Sequence, residues 1–276
     1  MRNNQERLGD FKPESAEAPA AAGFKFVTPT FFVDLPSKGK LYSLDNPLHG
    51  VESVEIREMT AREEDILYNR SFIDKGIVLD RLLESIIVNK SYVISKMLIM
   101  DKNALLVAAR ISGYGNVYPV NLQCADCGSE FDAEIDLNNL LKTEEAVLPE
   151  GAEILESGLV KLTLPKTKWQ VIVKPLLGGD QARYQKIIDT KRKNNLPENV
   201  LIETLRSFIY SVNDAVSDSE IYQAIDNMPA VDSKFLRTSY GTCFPSVSTE
   251  ADVVCSVCDT AQKAEVPFNA NFFWSK

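Results

Sequence analysis

Two C-x-x-C pairs constrain this chain more than any other feature. They are Cys124-Ala-Asp-Cys127 and Cys255-Ser-Val-Cys258, 131 positions apart. A structural metal site closed by protein takes four ligands, and each pair offers two. Together they predict one tetrahedral tetrathiolate centre, with Zn–S distances near ~2.3 Å and no open coordination position. Any fold that builds it must bring two distant hairpin-like turns to one point. The residues after the second cysteine of each pair suit such turns. Gly128 takes positive φ freely, and Asp259 enters that region more readily than most residues. Cys124, Cys127, Cys255 and Cys258 are therefore expected to hold a structural Zn2+. The fifth cysteine, Cys243, has no partner and reads as a buried or half-exposed free thiol.

Other uses of the cysteines fit less well. The first residues, MRNNQERLGDFKPESAEAPAAAG, contain no apolar signal core, so the pairs read as metal ligands rather than disulfides. The usual spacings of iron–sulfur clusters are missing. A thioredoxin-like motif would open a helix, whereas both pairs sit between strand-like segments. A catalytic zinc keeps one position open and usually includes histidine or carboxylate ligands.

A shift of 131 aligns more than the cysteines. Ala133, Glu134 and Asn138 fall on Ala264, Glu265 and Asn269, while Ile135 and Leu137 fall on Val266 and Phe268. Smaller shifts upstream pair Leu35-Pro36 with Leu164-Pro165, and Ile56-Arg57-Glu58-Met59 with Val173-Lys174-Pro175-Leu176. They also pair Asp101…Arg110…Tyr114-Gly115 with Asp232…Arg237…Tyr240-Gly241. The common order of these echoes points to an internal duplication. The predicted fold is α+β, with two pseudo-repeats joined through a zinc-ribbon-like four-cysteine site. Each repeat is a small antiparallel sheet plus a helical cluster.

The expected divisions are a flexible arm over 1–28, a first repeat over 29–141, an acidic linker over 142–158 and a second repeat over 159–276. Within the first repeat, 51–59 alternates like a strand. Thr60 and Glu63 form a capping box for the helix that follows. Apolar positions from Ile77 to Ile87 predict a second helix over about 76–89. A third follows Asp101 and ends near Gly113. In the second repeat, two strands flank Pro165-Lys166-Thr167. Helices are expected over 180–195, 198–213 and 218–227, and from Asp232. Asp101 and Asp232 read as helix caps, and Arg110 and Arg237 as braces for the knuckles.

Catalytic arrangements are missing. The lone histidine, His49, has no nucleophile near it in sequence and reads as a surface residue. Gly178-Gly179 lacks the Gly-Lys-Ser/Thr ending of a phosphate loop and reads as a helix start. Glu63-Glu64-Asp65 suits a helix N-terminus, and Lys186 to Lys193 a solvated face. The chain is thus expected not to be an enzyme. No apolar run approaches the ~20 residues that cross a bilayer, so no membrane partner is expected. The net charge of −9 argues against nucleic acid, whose binding rests on phosphate neutralisation. Phe272, Phe273 and Trp274 are consecutive aromatics that either pack across both repeats or anchor a partner.

Several short motifs carry a resemblance. They are Leu35-Pro-Ser-Lys-Gly39, Met59-Thr-Ala-Arg-Glu-Glu-Asp-Ile-Leu67, Asp101…Arg110…Gly113-Tyr-Gly115, and Cys124-x-x-Cys127-Gly128 followed by Ile135-Asp-Leu137. In this order they resemble the baseplate proteins of T-even-type contractile-tailed bacteriophages, in particular the small hub or hub-assembly component. The likeness is clearest over about 30–140. It implies a structural or assembly protein made in the bacterial cytoplasm, placed in the virion tail baseplate and bound to other tail proteins. It brings no catalytic residues. The competing expectation is a zinc-ribbon protein that binds nucleic acid or transcription machinery.

Overall fold

A computed structural model describes residues 28–155 and 157–274. The expected arm, 1–28, lies almost wholly outside the described residues. Strand β1 (Thr30–Asp34) pairs antiparallel with β2 (Ser53–Arg57), Val33 opposite Val54. Helix α1 (Ala61–Tyr68) starts where Glu63 reaches back to the Thr60 N–H at 3.0 Å. Glu63 also pairs with Arg57 at the end of β2 (2.6 Å), which fixes the helix against the strand. Helices α2 (Arg70–Asp74) and α3 (Val78–Ile86) follow, α3 burying Val78, Leu82, Leu83 and Ile86.

A 3-10 turn (Ile94–Lys96) leads to α4 (Ile99–Tyr114), which is buried along most of its length. It runs one residue past the expected end, and the residue at positive φ is Gly115 (84°) rather than Gly113. Strands β3 (Val117–Gln123) and β4 (Glu130–Asp136) then form the first cysteine hairpin, closed by the short helix α5 (Leu137–Leu140).

Residues 142–158 are tied down at both ends. Within them, β5 (Thr143–Glu144) pairs with β10 (Ser246–Val247), and β6 (Glu153–Ile154) with β7 (Val160–Thr163). Strand β7 pairs with β8 (Gln170–Val173), and β8 with β9 (Ile209–Val212), giving a four-stranded antiparallel sheet. Helices α6 (Gly178–Lys193) and α7 (Val200–Phe208) stand between β8 and β9. The helix expected over 198–213 therefore stops at Phe208. Ile209, Ser211 and Val212 are buried, and strand pairing with β8 satisfies backbone groups that burial takes from water. Helices α8 (Asp218–Asp226) and α9 (Ala230–Cys243) complete this part. The chain then forms β10, the second cysteine hairpin β11 (Glu250–Val254) and β12 (Ala261–Glu265), and a terminal 3-10 turn (Ala270–Phe273). The architecture is mixed: helices with small antiparallel sheets.

Two apolar cores divide the chain unequally. One holds β7, β8, α7, β9, α8 and α9 through Val160, Leu162, Val171, Val173, Leu205, Phe208, Ile221 and Leu236. The other holds residues 33–141 and also Val247, Val253, Cys255, Ala264, Val266, Phe272 and Phe273. The second hairpin and the tail thus pack on the core of the first part. The seam between the parts carries two backbone bonds, Ile99 N–H to Leu176 O (2.9 Å) and Gly178 N–H to Met97 O (2.8 Å). A Cβ on Gly178 would lie 2.8 Å from the Ile94 carbonyl oxygen, so close approach of α6 requires glycine there.

Asp101 and Asp232 do not cap their helices. Each is the third residue of its helix, α4 or α9, and is turned to a distant loop. Asp101 is fully buried and accepts from the Ser37 N–H (3.0 Å), the Ser37 hydroxyl (2.6 Å) and the Tyr42 hydroxyl (2.7 Å). Asp232 accepts from the Lys166 N–H (2.8 Å) and the Thr167 N–H (3.0 Å). Burial pushes the Asp101 carboxyl up, against the three bonds it receives. At Asp232 burial also raises, but the Lys166 and Thr167 bonds prevail and the carboxyl is lowered.

Candidate metal centre

Each cysteine pair occupies the turn of its hairpin, and the two turns have matching backbones. In the first, the Cys124 N–H donates to Ser129 O (2.9 Å) and the Gly128 N–H to Cys124 O (3.0 Å). In the second, the Cys255 N–H donates to Thr260 O (2.9 Å) and the Asp259 N–H to Cys255 O (3.0 Å). Gly128 and Asp259 both take the left-handed conformation, at φ 71° and 57°. The Val257 N–H points at the Cys255 sulfur from 3.4 Å, as backbone donors do around a thiolate.

The four Sγ atoms lie within 4.8 Å of one another. Cys124 Sγ is 3.6 Å from Cys258 Sγ, and Cys127 Sγ is 3.9 Å from Cys255 Sγ. A tetrahedron with ~2.3 Å arms has edges of about 3.8 Å, so both contacts fit thiolates sharing one ion. Disulfides would need ~2.05 Å. Cys124 and Cys255 are buried, Cys258 is half-buried and Cys127 exposed. The backbone and hydroxyl of Ser129 lower the Cys127 thiol to about 6, helped by the neighbouring thiols of Cys258 and Cys124. A thiol so placed deprotonates readily, as a metal ligand must. The set is four sulfurs within reach of one ion, a donor set that suits zinc or a single iron.

Direct bonds also join the hairpins. The Gln262 side chain accepts from the Ala125 N–H (3.0 Å) and donates to Gln123 O (3.4 Å). The Thr260 hydroxyl donates to the Asp126 carboxylate (3.2 Å). The 131-position shift sets Gln262 against Phe131, so the internal echo gave no hint of this bridging amide.

The remaining singled-out residues lie elsewhere. Cys243 sits in the second core, where burial raises its thiol to about 11. His49 is exposed, with Nδ1 2.8 Å from Tyr42 O. Arg110 donates to Gly115 O (3.0 Å) and lies over the rings of Tyr114 and Tyr118, bracing the entry to β3. In the aromatic tail, Phe272 and Phe273 have almost no accessible surface and pack against Tyr118 and Tyr114 of this chain. Trp274 is half-buried, its ring 4.1 Å from that of Tyr68, which is largely exposed.

Comparison with known families decides the setting of this centre. A family model described as T4 bacteriophage base plate protein matches residues 28–274. The chain belongs to that family. The match runs through both cysteine hairpins and the aromatic tail, well beyond the 30–140 stretch whose motifs carried the resemblance. No curated protein and no solved structure matches this base plate protein. Family membership supports a structural role in the phage baseplate and contacts with other tail proteins. No helix among the described residues is long and apolar enough to cross a membrane.

Proposed function

We propose that this base plate protein is a structural component of the hub region of the tail baseplate, or a factor that assembles it. One zinc ion on Cys124, Cys127, Cys255 and Cys258 staples its two hairpins. It acts through protein–protein contacts, is made in the host cytoplasm, and carries no catalytic site. The observation that carries this reading is the convergence of four thiols, from turns 131 residues apart, within a base plate family match. Four thiolates leave the ion no open position, which suits a staple rather than a reaction centre.

We read the two parts as copies of one unit. Asp101 and Asp232 hold equivalent Leu-Pro turns, in which Lys38 and Lys168 both take positive φ. Arg57–Glu63 and Lys174–Asp180 are matching ion pairs from strand end to helix start. Trp274 with Tyr68 is the proposed partner contact, since it is the member of the tail with surface to offer. The outward positions of the hairpins include Glu130, Asp132, Glu134, Asp136, Glu250 and Asp252, a poor surface for a polyanion.

Quantitative mass spectrometry of purified phage particles beside infected-cell lysate tests the reading. Fixed stoichiometry with tail proteins in particles supports a structural component. Abundance in lysate alone supports the assembly factor. Association with tail proteins in neither sample refutes both.

A further inference from the structure

We propose that the four-cysteine centre is also a redox-modification site, which oxidation converts from a metal tetrathiolate into two disulfides crossing between the hairpins. The pairs are Cys124–Cys258 and Cys127–Cys255. This inference rests on the metal reading of the same site.

The pairing follows from position and exposure. Each sulfur has a partner on the opposite hairpin within 4 Å, at 3.6 and 3.9 Å. Each of these pairs joins one accessible cysteine to one buried cysteine: Cys258 to Cys124, and Cys127 to Cys255. An exposed thiolate meets the oxidant first, and its buried neighbour is already beside it to resolve the product. Crossed disulfides also leave both turns in place. The bonds from Cys124 N to Ser129 O, Gly128 N to Cys124 O, and their second-hairpin equivalents can persist. So can the bridges from Gln262 and from Thr260 to Asp126.

The chemistry balances with hydrogen peroxide as the oxidant. The Cys127 thiolate attacks one peroxide oxygen, the O–O bond breaks, and sulfenic acid and hydroxide form. The Cys255 thiolate then attacks the Cys127 sulfur, the S–O bond breaks, an S–S bond forms and a second hydroxide leaves. Two cysteines are oxidised by two electrons, and peroxide is reduced to hydroxide, which takes up protons as water. Cys258 and Cys124 repeat the sequence with a second peroxide. With no thiolate left, the metal is released. A staple that depends on an ion in a reducing compartment would thus become covalent in an oxidising one.

The test uses the full chain, purified under reducing conditions with zinc, its metal content measured before peroxide is added. Released zinc, remaining thiols and non-reduced peptide maps are followed together. The expected result is loss of four of the five thiols, loss of the bound zinc, and peptides linking 124 to 258 and 127 to 255. Dithiothreitol with zinc should reverse all three. Cys127→Ser should still form the 124–258 link and leave Cys255 free. Links within a pair, 124–127 or 255–258, would overturn the proposal, as would sulfinic or sulfonic acid at Cys127 and Cys258 without disulfides. A protein with no metal at the start refutes the zinc reading by itself, and the peptide map still decides the pairing.

Discussion

Gly178→Ala tests the seam between the two parts. Position 178 opens α6, and its φ is ordinary, so alanine has no backbone objection. In isolation the change should help, since alanine is favoured over glycine in helices by ~1 kcal/mol. The seam reverses the sign. The new Cβ would sit 2.8 Å from Ile94 O and 3.6 Å from Ser95 Cα, both backbone atoms that cannot swing aside. Overpacking of this kind costs about 1–3 kcal/mol. Moving α6 away weakens the bonds to Met97 O and from Ile99 N, which contribute about 1 kcal/mol each. After subtracting the helix gain, the net loss should be about 2 kcal/mol. For a chain of this size that corresponds to a fall of roughly 4–8 °C in Tm. Gly113→Ala is the control. It lies inside α4, and its Cβ would meet the movable Met59 side chain, with Sδ at 3.3 Å. That variant should match or exceed the natural protein. Thermal unfolding followed by circular dichroism compares the three. Equal Tm values for Gly178→Ala and Gly113→Ala would refute the seam account.

Further outcomes are expected at five other residues. Asp101→Asn sets an amide against three donors in a fully buried site and should cost about 2–4 kcal/mol in chemical denaturation. Asp232→Asn, with two donors, should cost less. Burial opposes the charge on Glu63, but bonds from Arg57, Ser85 and Thr60 prevail and lower its carboxyl from 4.5 to about 2. A depressed carboxyl contributes stability above its unfolded value and loses it on acidification. Stability should therefore fall between about pH 4.5 and about pH 2, and Glu63→Gln should flatten that part of the profile. Phe272→Ala should cost about 3–5 kcal/mol, as truncation of a fully buried aromatic does. Trp274→Ala removes a ring pair worth about 0.5–1.5 kcal/mol and should leave the fold intact. Its readout is co-purification with tail proteins, which should fall; unchanged recovery would remove Trp274 as a partner contact.

What the sequence disclosed, and what it hid, follows from the range of the interactions. The C-x-x-C spacing and its glycine or aspartate are local, and both turns form as those residues imply. The helix start at Thr60 is also a local signal. Asp101 was legible as a helix-start residue, but its true partners, Ser37 and Tyr42, are about sixty residues away and no pattern announces them. Gly178 read as a plain helix start because its reason is the carbonyl of Ile94 on another segment. Ile209 to Val212 continued a helical pattern in sequence, and only pairing with β8 makes them a strand. The second hairpin followed the internal echo, yet its apolar residues join the core of the first part, a choice made by tertiary packing.

The staple itself is tested most directly by X-ray absorption at the zinc edge, on full chain purified without added metal. The expected result is about one zinc per chain with a shell of four sulfurs near ~2.3 Å, and loss of that shell in Cys124→Ser. A protein that carries no zinc, or zinc bound through nitrogen or oxygen with Cys124→Ser unchanged, would contradict the account.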